Sequence, residues 1–157
     1  MFRDVQVLEL KIPPPAALVV IAGAMWAVSL VGPSLGLRDP IRMVVAIAIA
    51  LAGASIDLFS AVSFRRARTT VNPMKPERTS VLVTSGAYRF SRNPMYVGLL
   101  LVLVAWALFL NSAWALMGPA IFVLYMNRFQ IAPEEKVLAA TFGAAYSTYK
   151  SSVRRWL

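Results

Sequence analysis

Four stretches of apolar residues, separated by short polar segments, dominate the hydropathy pattern of the chain. They cover approximately residues 14–33, 42–64, 94–110 and 113–131. A helix needs about 20 predominantly apolar residues to cross the hydrocarbon core of a bilayer. The pattern therefore predicts an all-α integral membrane protein with about four transmembrane helices.

The apolar stretches begin and end at residues that commonly start and end helices. Pro14 suits the opening of the first predicted helix, and Gly32 suits its end. Only Asn111 and Ser112 separate the third stretch from the fourth, so we expect a tight antiparallel hairpin there. The first apolar stretch is followed by three more and by no clear small-residue cleavage site. A cleaved signal peptide is therefore not expected.

A fifth helix with a different pattern is predicted after the last apolar stretch. Between residues 133 and 150, apolar side chains recur at helical spacing with polar residues between them: Val137, Leu138, Phe142, Ala145, Tyr146 and Tyr149. We expect this amphipathic helix to lie on the membrane surface or to cap the helix bundle, with a bend at Gly143. Residues 1–157 are predicted to form a single membrane domain.

Lys and Arg residues are concentrated in the segment 65–93 and in the C-terminal tail, whereas the turn at residues 111–112 has none. Such residues mark the cytosolic side of a membrane protein. We therefore expect the 65–93 loop, the tail and both termini on the cytosolic side of a bacterial inner membrane. The net charge of +9 then indicates contact with anionic lipid headgroups and not with nucleic acid.

The chain contains neither Cys nor His. Disulfide bonds and thiolate or imidazole metal ligands are therefore impossible, and we predict no metal site. The commonest general base is also absent. Any chemistry must use the remaining polar side chains or a bound cofactor.

The densest polar cluster lies at residues 80–98, immediately before and into the third apolar stretch. Asn93 and Pro94 form an ordinary helix start, and Tyr88 and Tyr96 suit an interfacial position. Composition alone favours that structural interpretation. The alternative is that the loop and the helix N-terminus bind a polar ligand, since free N–H groups favour negative charge there.

A second polar cluster surrounds the end of the fourth apolar stretch. Pro133 followed by Glu134 and Glu135 is ordinary chemistry for a helix start, and Arg128 can extend to the headgroups. Paired carboxylates are nevertheless unexpected beside anionic lipid. A carboxylate pair near Arg128 would suit a ligand that carries hydroxyl or ammonium groups together with a carboxylate.

Asp57 is an ionisable residue inside the second apolar stretch, about 12 Å of helix rise before Arg65. Such residues are costly in a membrane and are functional candidates. Alternatively, Asp57 pairs with a cytosolic-side Arg or accepts a hydrogen bond from a neighbouring helix. The sequence weights the two interpretations equally.

Three motifs resemble those of the isoprenylcysteine carboxyl methyltransferase family, to which phospholipid methyltransferases are related. In order they are Leu82-Val83-Thr84-Ser85-Gly86-x-Tyr88, then Arg92-Asn93-Pro94-x-Tyr96-x-Gly98, then Glu134-Glu135 with Phe142-Gly143-x-x-Tyr146-x-x-Tyr149 and Val153. The resemblance covers roughly residues 65–157. The first two apolar stretches match only as generic membrane helices.

The resemblance implies transfer of a methyl group from S-adenosylmethionine to a lipophilic, membrane-embedded acceptor, in a cytosolic-side pocket closed by the C-terminal segment. It places cofactor contacts on Ser80, Val81, Leu82, Val83, Tyr88, Asn93, Pro94, Met95, Tyr96 and Glu134. The residues predicted on the catalytic or acceptor side are Asp57, Arg128, Gln130 and Glu135.

This sequence departs from the eukaryotic pattern of that family at two positions. Asn93 stands in place of a His, and it can orient a ligand but cannot titrate. Gln130 stands in place of an Arg thought to meet the substrate carboxylate, and Arg128 lies two residues earlier. Prenylcysteine is therefore not assigned as the acceptor.

Methyl transfer from a sulfonium needs alignment of the reactants, but no protein nucleophile or metal. A carboxylate acceptor is mildly favoured, because an ammonium acceptor would need a base and the chain has no His. Two alternatives stay open: an NADPH-dependent reductase of sterol-like substrates, and a non-enzymatic membrane scaffold or binding protein. The acceptor, the methylated element and the oligomeric state are not determined by the sequence.

Overall fold

The computed structural model describes residues 10–66 and 81–157. Within these ranges every extended regular element is a helix: α1 at Pro14–Ser29, α2 at Asp39–Arg66, α3 at Pro94–Leu110, α4 at Met117–Tyr125 and α5 at Ala132–Ser152. Short 3₁₀ turns lie at Gly86–Arg89 and Trp114–Leu116, and a π-helical segment spans Met126–Ile131. The predicted all-α class is confirmed for the described ranges.

Among the described helices, one is both long and apolar enough to cross a membrane. It is α2, with 28 residues, and it extends slightly beyond the predicted 42–64 stretch at both ends. Helix α3 coincides with the predicted 94–110 stretch, and α1 ends before residue 33, but these apolar helices have only 17 and 16 residues. The four-span topology therefore stays a prediction.

The predicted fourth span, residues 113–131, is not a single α-helix. A 3₁₀ turn leads into α4, the π-helical segment follows, and the backbone then enters α5 without a loop. Pro133 was expected to open a separate helix but lies within this continuous helical path. Proline has no N–H for the carbonyl four residues earlier, and that carbonyl, Phe129 O, accepts a hydrogen bond from Leu10 N at 3.1 Å.

The predicted C-terminal helix is present as α5 and bends at Gly143, as expected. The backbone there has φ 49° and ψ −120°, outside the helical region, and the two halves of α5 meet at this point. Glycine adopts a positive φ without steric cost. The bend divides α5 into a first half that starts beside α3 and a second half that carries the buried rings of Tyr146 and Tyr149.

The apolar core lies between α1, α3, α4 and the π-helical segment. Its most buried large side chains are Met25, Leu103, Phe122, Met126 and Ile131. Helix α2 lies outside this core and packs chiefly against α3. It therefore presents much of its apolar surface outward.

The end of the bundle at the start of α2 and the end of α3 uses its polar groups for structure. The Arg42 guanidinium donates hydrogen bonds to the carbonyls of Leu108 (3.0 Å) and Phe109 and to Asp39 Oδ1 (2.6 Å). These carbonyls belong to the last turn of α3, where helical partners run out. Asn111 ends α3 in the left-handed conformation. The connection to α4 is longer than the predicted two residues, because the 3₁₀ turn Trp114–Leu116 precedes Met117.

Candidate active site

A hydrogen-bonded pair joins the first turns of two helices. Tyr96 lies in the first turn of α3 and Glu134 in the first turn of α5, and Tyr96 Oη donates to Glu134 Oε1 at 2.8 Å. Burial is the main cause that raises the pKa of Glu134 to about 8, with a smaller contribution from the neighbouring charge of Glu135. The hydrogen bond from Tyr96 acts in the opposite direction. At neutral pH the Glu134 carboxyl therefore holds its proton.

Tyr88 lies on the 3₁₀ turn at Gly86–Arg89 and within electrostatic range of this pair. Its ring meets Phe64 of α2 edge-on, with centroids 5.2 Å apart, and its carbonyl accepts a hydrogen bond from Tyr149 Oη at 2.7 Å. Burial raises the pKa of Tyr88 far above its ordinary value, and the charges of Glu134 and Asp57 add to this. The buried phenol thus stays neutral and lies within electrostatic reach of both carboxylates.

Two buried polar atoms near these rings have no hydrogen-bond partner within the described ranges: Gln130 Nε2 and Asp57 Oδ1. Gln130 is only 1% exposed and lies beside Tyr96. Asp57 lies against α3 at Gly98, where an added Cβ would overlap its carboxylate. We call Asp57, Tyr88, Tyr96, Gln130 and Glu134 the acidic site.

Glu135, the next residue along the chain, has a contrasting environment. Its oxygens lie 2.7 Å from Arg155 Nη2, 3.1 Å from Arg92 Nη2 and 3.8 Å from Lys150 Nζ. We call these four residues the Glu135 cluster. Successive residues of a helix point about 100° apart, so the adjacent glutamates face different surroundings. The predicted carboxylate pair is not a pair in space.

The Glu135 cluster holds the C-terminal tail against the start of α3. Arg92 N donates to Arg154 O and Asn93 Nδ2 donates to Arg155 O, both at 2.9 Å. Trp156 Nε1 donates to Asn127 Oδ1 at 3.0 Å. Neither Arg155 nor Trp156 was predicted as a site residue. The Arg-Arg-Trp run after α5 indicates in sequence only a basic, cytosolic-side tail.

The remaining predicted site residues are more dispersed. Val83 is buried, Leu82 is half-buried and Val81 is exposed, while Ser80 lies outside the described residues. Pro94 is buried as the first residue of α3, and Met95 is half-buried.

Arg128 is exposed on the π-helical segment, with its guanidinium carbon 5.4 Å from the centroid of the Phe129 ring. The structure thus brings together Tyr96, Gln130 and Glu134, with Tyr88 in electrostatic range of Glu134. It places Asp57 against Gly98 and directs Glu135 to Arg92 and Arg155. Within the described part of the chain, no group of three or more acidic side chains is arranged to hold a metal ion.

The profile of phospholipid methyltransferases matches residues 41–145. This range includes α2 from residue 41 onward and every residue of the acidic site. An uncharacterised protein of Haemophilus influenzae is 52% identical over 63 residues, which is 40% of this chain and 100% of that protein. No solved structure matches. The predicted family relationship is confirmed: the chain belongs to the phospholipid methyltransferase family.

Proposed function

We propose that this protein is an integral membrane methyltransferase that uses S-adenosylmethionine and methylates a lipophilic acceptor held in the bilayer. Membership of the phospholipid methyltransferase family points to methyl transfer. The observation that carries the proposal is the Glu134 carboxyl. It accepts a hydrogen bond from Tyr96, and its pKa is raised mainly by burial and lowered by no Lys or Arg side chain of the described residues.

The acidic site fits the charge of this cofactor. S-adenosylmethionine carries a sulfonium, an ammonium and a carboxylate group, so its net charge is positive. A buried carboxylate of the protein is stable only when an opposite charge or donors compensate it. Glu134 can bind the ammonium group or the ribose hydroxyls. The ring faces of Tyr88 or Tyr96 can attract a sulfonium through a cation–π contact. The bound cofactor would supply the electrophilic methyl group.

The helices supply a route for a lipophilic acceptor. Large apolar side chains stand exposed on α1 and α2, including Val20 (71%), Leu51 (64%) and Phe59 (65%). Extended exposed apolar surfaces mark contact with membranes or partners. We propose that the apolar helices form four spans with both termini cytosolic, so that the acceptor enters sideways while the cofactor enters from the cytosol.

The Glu135 cluster has a supporting role in this proposal. Arg92 and Arg155 form ion pairs with the Glu135 carboxylate. These pairs anchor the C-terminal tail, in which the Arg155 carbonyl accepts a hydrogen bond from the Asn93 side-chain amide. We propose that Glu135 and Asn93 position the start of α3 and with it Tyr96. Arg128 is proposed to contact headgroups, since its exposed position lies apart from the acidic site.

Calorimetric titration of S-adenosylmethionine into the detergent-solubilised full chain tests the proposal. We expect saturable binding of S-adenosylmethionine, and we expect Glu134→Gln to weaken it. The demethylated product S-adenosylhomocysteine, which lacks the sulfonium charge, should bind the wild type less tightly. A wild-type protein that binds no S-adenosylmethionine would refute the proposal.

NADPH in the same cell tests the reductase alternative. Its phosphates are anionic and bind best to cationic side chains, whereas the acidic site offers the carboxyl groups of Asp57 and Glu134. We expect no NADPH binding. The family match favours neither a reductase nor a non-enzymatic scaffold.

A further inference from the structure

The Glu135 cluster holds more positive charge than its one carboxylate compensates. Arg92 Nη2, Lys150 Nζ and Arg155 Nη2 lie 3.1, 3.8 and 2.7 Å from the oxygens of Glu135. Among the described residues, none of these three cations forms an ion pair with a second carboxylate, so the cluster keeps a formal charge of +2. Like charges at such short range repel each other. The cluster is therefore expected to attract an anion.

The helix ends beside the cluster do not remove this excess. Helix α5 ends at Ser152, just after Lys150, and a helix C-terminus carries about half a negative charge. Helix α3 begins at Pro94, just after Arg92, and a helix N-terminus carries about half a positive charge. The two partial charges have opposite signs and largely cancel. The excess charge of the side chains therefore remains.

The cluster also has more hydrogen-bond donors than acceptors. Arg155 uses Nε and Nη2 on the Glu135 carboxylate, at 3.1 and 2.7 Å, which leaves its Nη1 for another acceptor. The Arg92 side chain is only 9% exposed, and its Nε atom is buried without a hydrogen-bond partner in the described ranges. A buried donor without an acceptor costs free energy. Charge and donors thus both point to a missing oxyanion.

The cluster is open to an incoming ligand on one side. The side chains of Lys150 and Arg155 are 51% and 38% exposed, whereas those of Arg92 and Glu135 are almost buried. An anion can therefore reach the ammonium and the second guanidinium from outside, while Arg92 adds its charge from within. Guanidinium and ammonium groups together suit a phosphate, which accepts several charge-assisted hydrogen bonds.

Exposed apolar side chains flank the cluster and indicate where the phosphate comes from. Phe90 is 75% exposed and Leu157 is 72% exposed, and each lies two residues from an arginine of the cluster. Their two segments pair through the hydrogen bond from Arg92 N to Arg154 O at 2.9 Å. Cations beside exposed apolar residues are typical of a surface at the headgroup level of an anionic membrane. A free phosphate would need no apolar surroundings.

We infer that the Glu135 cluster binds the phosphate group of an anionic lipid headgroup. Lys150 Nζ and Arg155 Nη1 donate hydrogen bonds to its oxygens, and Glu135 holds the guanidinium groups in place. This lipid is a ligand distinct from the methyl acceptor. The inference depends on the charges of the cluster and holds whether or not the chain transfers methyl groups.

Calorimetric titration of the full chain in a neutral detergent, without S-adenosylmethionine, tests the inference. The three probes are dihexanoyl phosphatidylglycerol, which is anionic, dihexanoyl phosphatidylcholine, which is zwitterionic, and inorganic phosphate. We expect saturable binding of the anionic lipid and none of the zwitterionic lipid. Inorganic phosphate should bind about tenfold more weakly, because it has no acyl chains to contact Phe90 and Leu157.

Two results of this titration would overturn the inference. Inorganic phosphate that binds as tightly as phosphatidylglycerol would show that the ligand is a free phosphate and not a lipid. Equal binding of the two lipids, or no binding of either anion, would show that the excess charge does not form a site.

Lys150→Gln removes an exposed cation of the cluster, and its ion pair with Glu135 is the longest of the three, so the fold should persist. We expect phosphatidylglycerol to bind about tenfold more weakly, the scale of one charge-assisted hydrogen bond at an exposed site. Lys136→Gln is the matched control, because Lys136 is an exposed lysine of the same helix, next to Glu135 but outside its ion pairs. It changes the net charge equally and should alter the affinity by less than about twofold. Equal losses in the two variants would indicate only a general surface attraction and overturn the inference.

Glu135→Gln distinguishes an anion site from a cluster that only holds the tail. The substitution frees the donors of Arg92 and Arg155, so phosphatidylglycerol should raise the melting temperature of this variant by more than it raises that of the wild type. A cluster with a purely structural role would give no such recovery. An equal or smaller rise in Glu135→Gln would overturn the inference without bearing on methyl transfer.

Discussion

Glu134 and Glu135 are neighbours in sequence, yet they belong to two regions with opposite electrostatics. Glu135 meets Arg92, Lys150 and Arg155, and its charge is compensated by the fold. Glu134 meets a neutral phenol, and burial raises its pKa to about 8. The Glu135 carboxylate is paired without a ligand, whereas the acidic site lacks a positive charge among the described residues.

The contrast between the Glu135 cluster and the acidic site indicates how to distinguish polar residues that stabilise the fold from those that bind a ligand. Glu135 is a largely buried charge whose partners, Arg92 and Arg155, are present. Asp57 and Gln130 keep buried atoms without partners in the described ranges. Because an unpaired buried polar group costs free energy, the unpaired groups are the better candidates for contact with a ligand.

The largest expected effect comes from Glu134→Gln. The substitution keeps the hydrogen-bonding shape but removes the charge that would meet a cation, so we expect S-adenosylmethionine affinity to fall about 100-fold, the scale of losing one partner of a buried charge pair. Calorimetry measures the affinity. Since Glu134 is already protonated in the free protein at neutral pH, thermal stability should not fall. Wild-type affinity in this variant would contradict the assignment.

The pH dependence of cofactor binding follows from the same residue. A cation favours ionised Glu134, so binding at pH 7 should release about 0.9 proton, the fraction still protonated when the pKa is about 8. Affinity should fall about 50-fold from pH 8 to pH 6. Calorimetry in two buffers of different ionisation enthalpy measures the released proton, and Glu134→Gln should release none.

The stability of the free protein should change with pH in the opposite direction. The folded-state pKa of Glu134 lies above its ordinary value near 4.5, so the folded state holds the proton more tightly than the unfolded state. The contribution is fully present below about pH 4.5 and is lost as the pH rises through about 8. Thermal melts at increasing pH measure it, and Glu134→Gln should flatten the dependence.

Glu135→Gln should lower the stability of the protein and leave its recognition of the cofactor's positive charge unchanged. It leaves the buried Arg92 without its carboxylate partner, and we expect the free energy of unfolding to fall by about 2 kcal/mol, a value reduced for the exposure of Lys150 and Arg155. Melting temperature reports this loss. Proton release on cofactor binding should persist in this variant, and its disappearance would show that the two regions are not distinct.

The smallest expected effect is that of Tyr96→Phe, which removes one hydrogen bond to Glu134. We expect about a fivefold loss of cofactor affinity, equivalent to about 1 kcal/mol. The hydrogen bond lowers the pKa of Glu134, so its loss should move proton release to higher pH. Tyr125→Phe is the control, since Tyr125 packs on Phe129, and an equal effect of both substitutions would contradict the role given to Tyr96.

Much of the helical framework was predictable because it depends on local pattern. The apolar run before Asn111 gave α3 at its observed bounds, and the Gly143 bend followed from the conformational freedom of glycine. The helical path from α4 to α5 was not predictable. Pro133 normally suggests a break, and the Leu10 N–H that meets the Phe129 carbonyl comes from more than a hundred residues away.

The sequence by itself determined the all-helical class, the family motifs and the exclusion of His and Cys chemistry, because each depends on residue type and short-range spacing. Only the tertiary structure decided which polar residues meet. It placed Tyr96 on Glu134, gave Glu135 to Arg92 and Arg155, and left Asp57 against Gly98. Burial and pairing arise from contacts between distant segments. These contacts give two adjacent residues of the same type, Glu134 and Glu135, different environments.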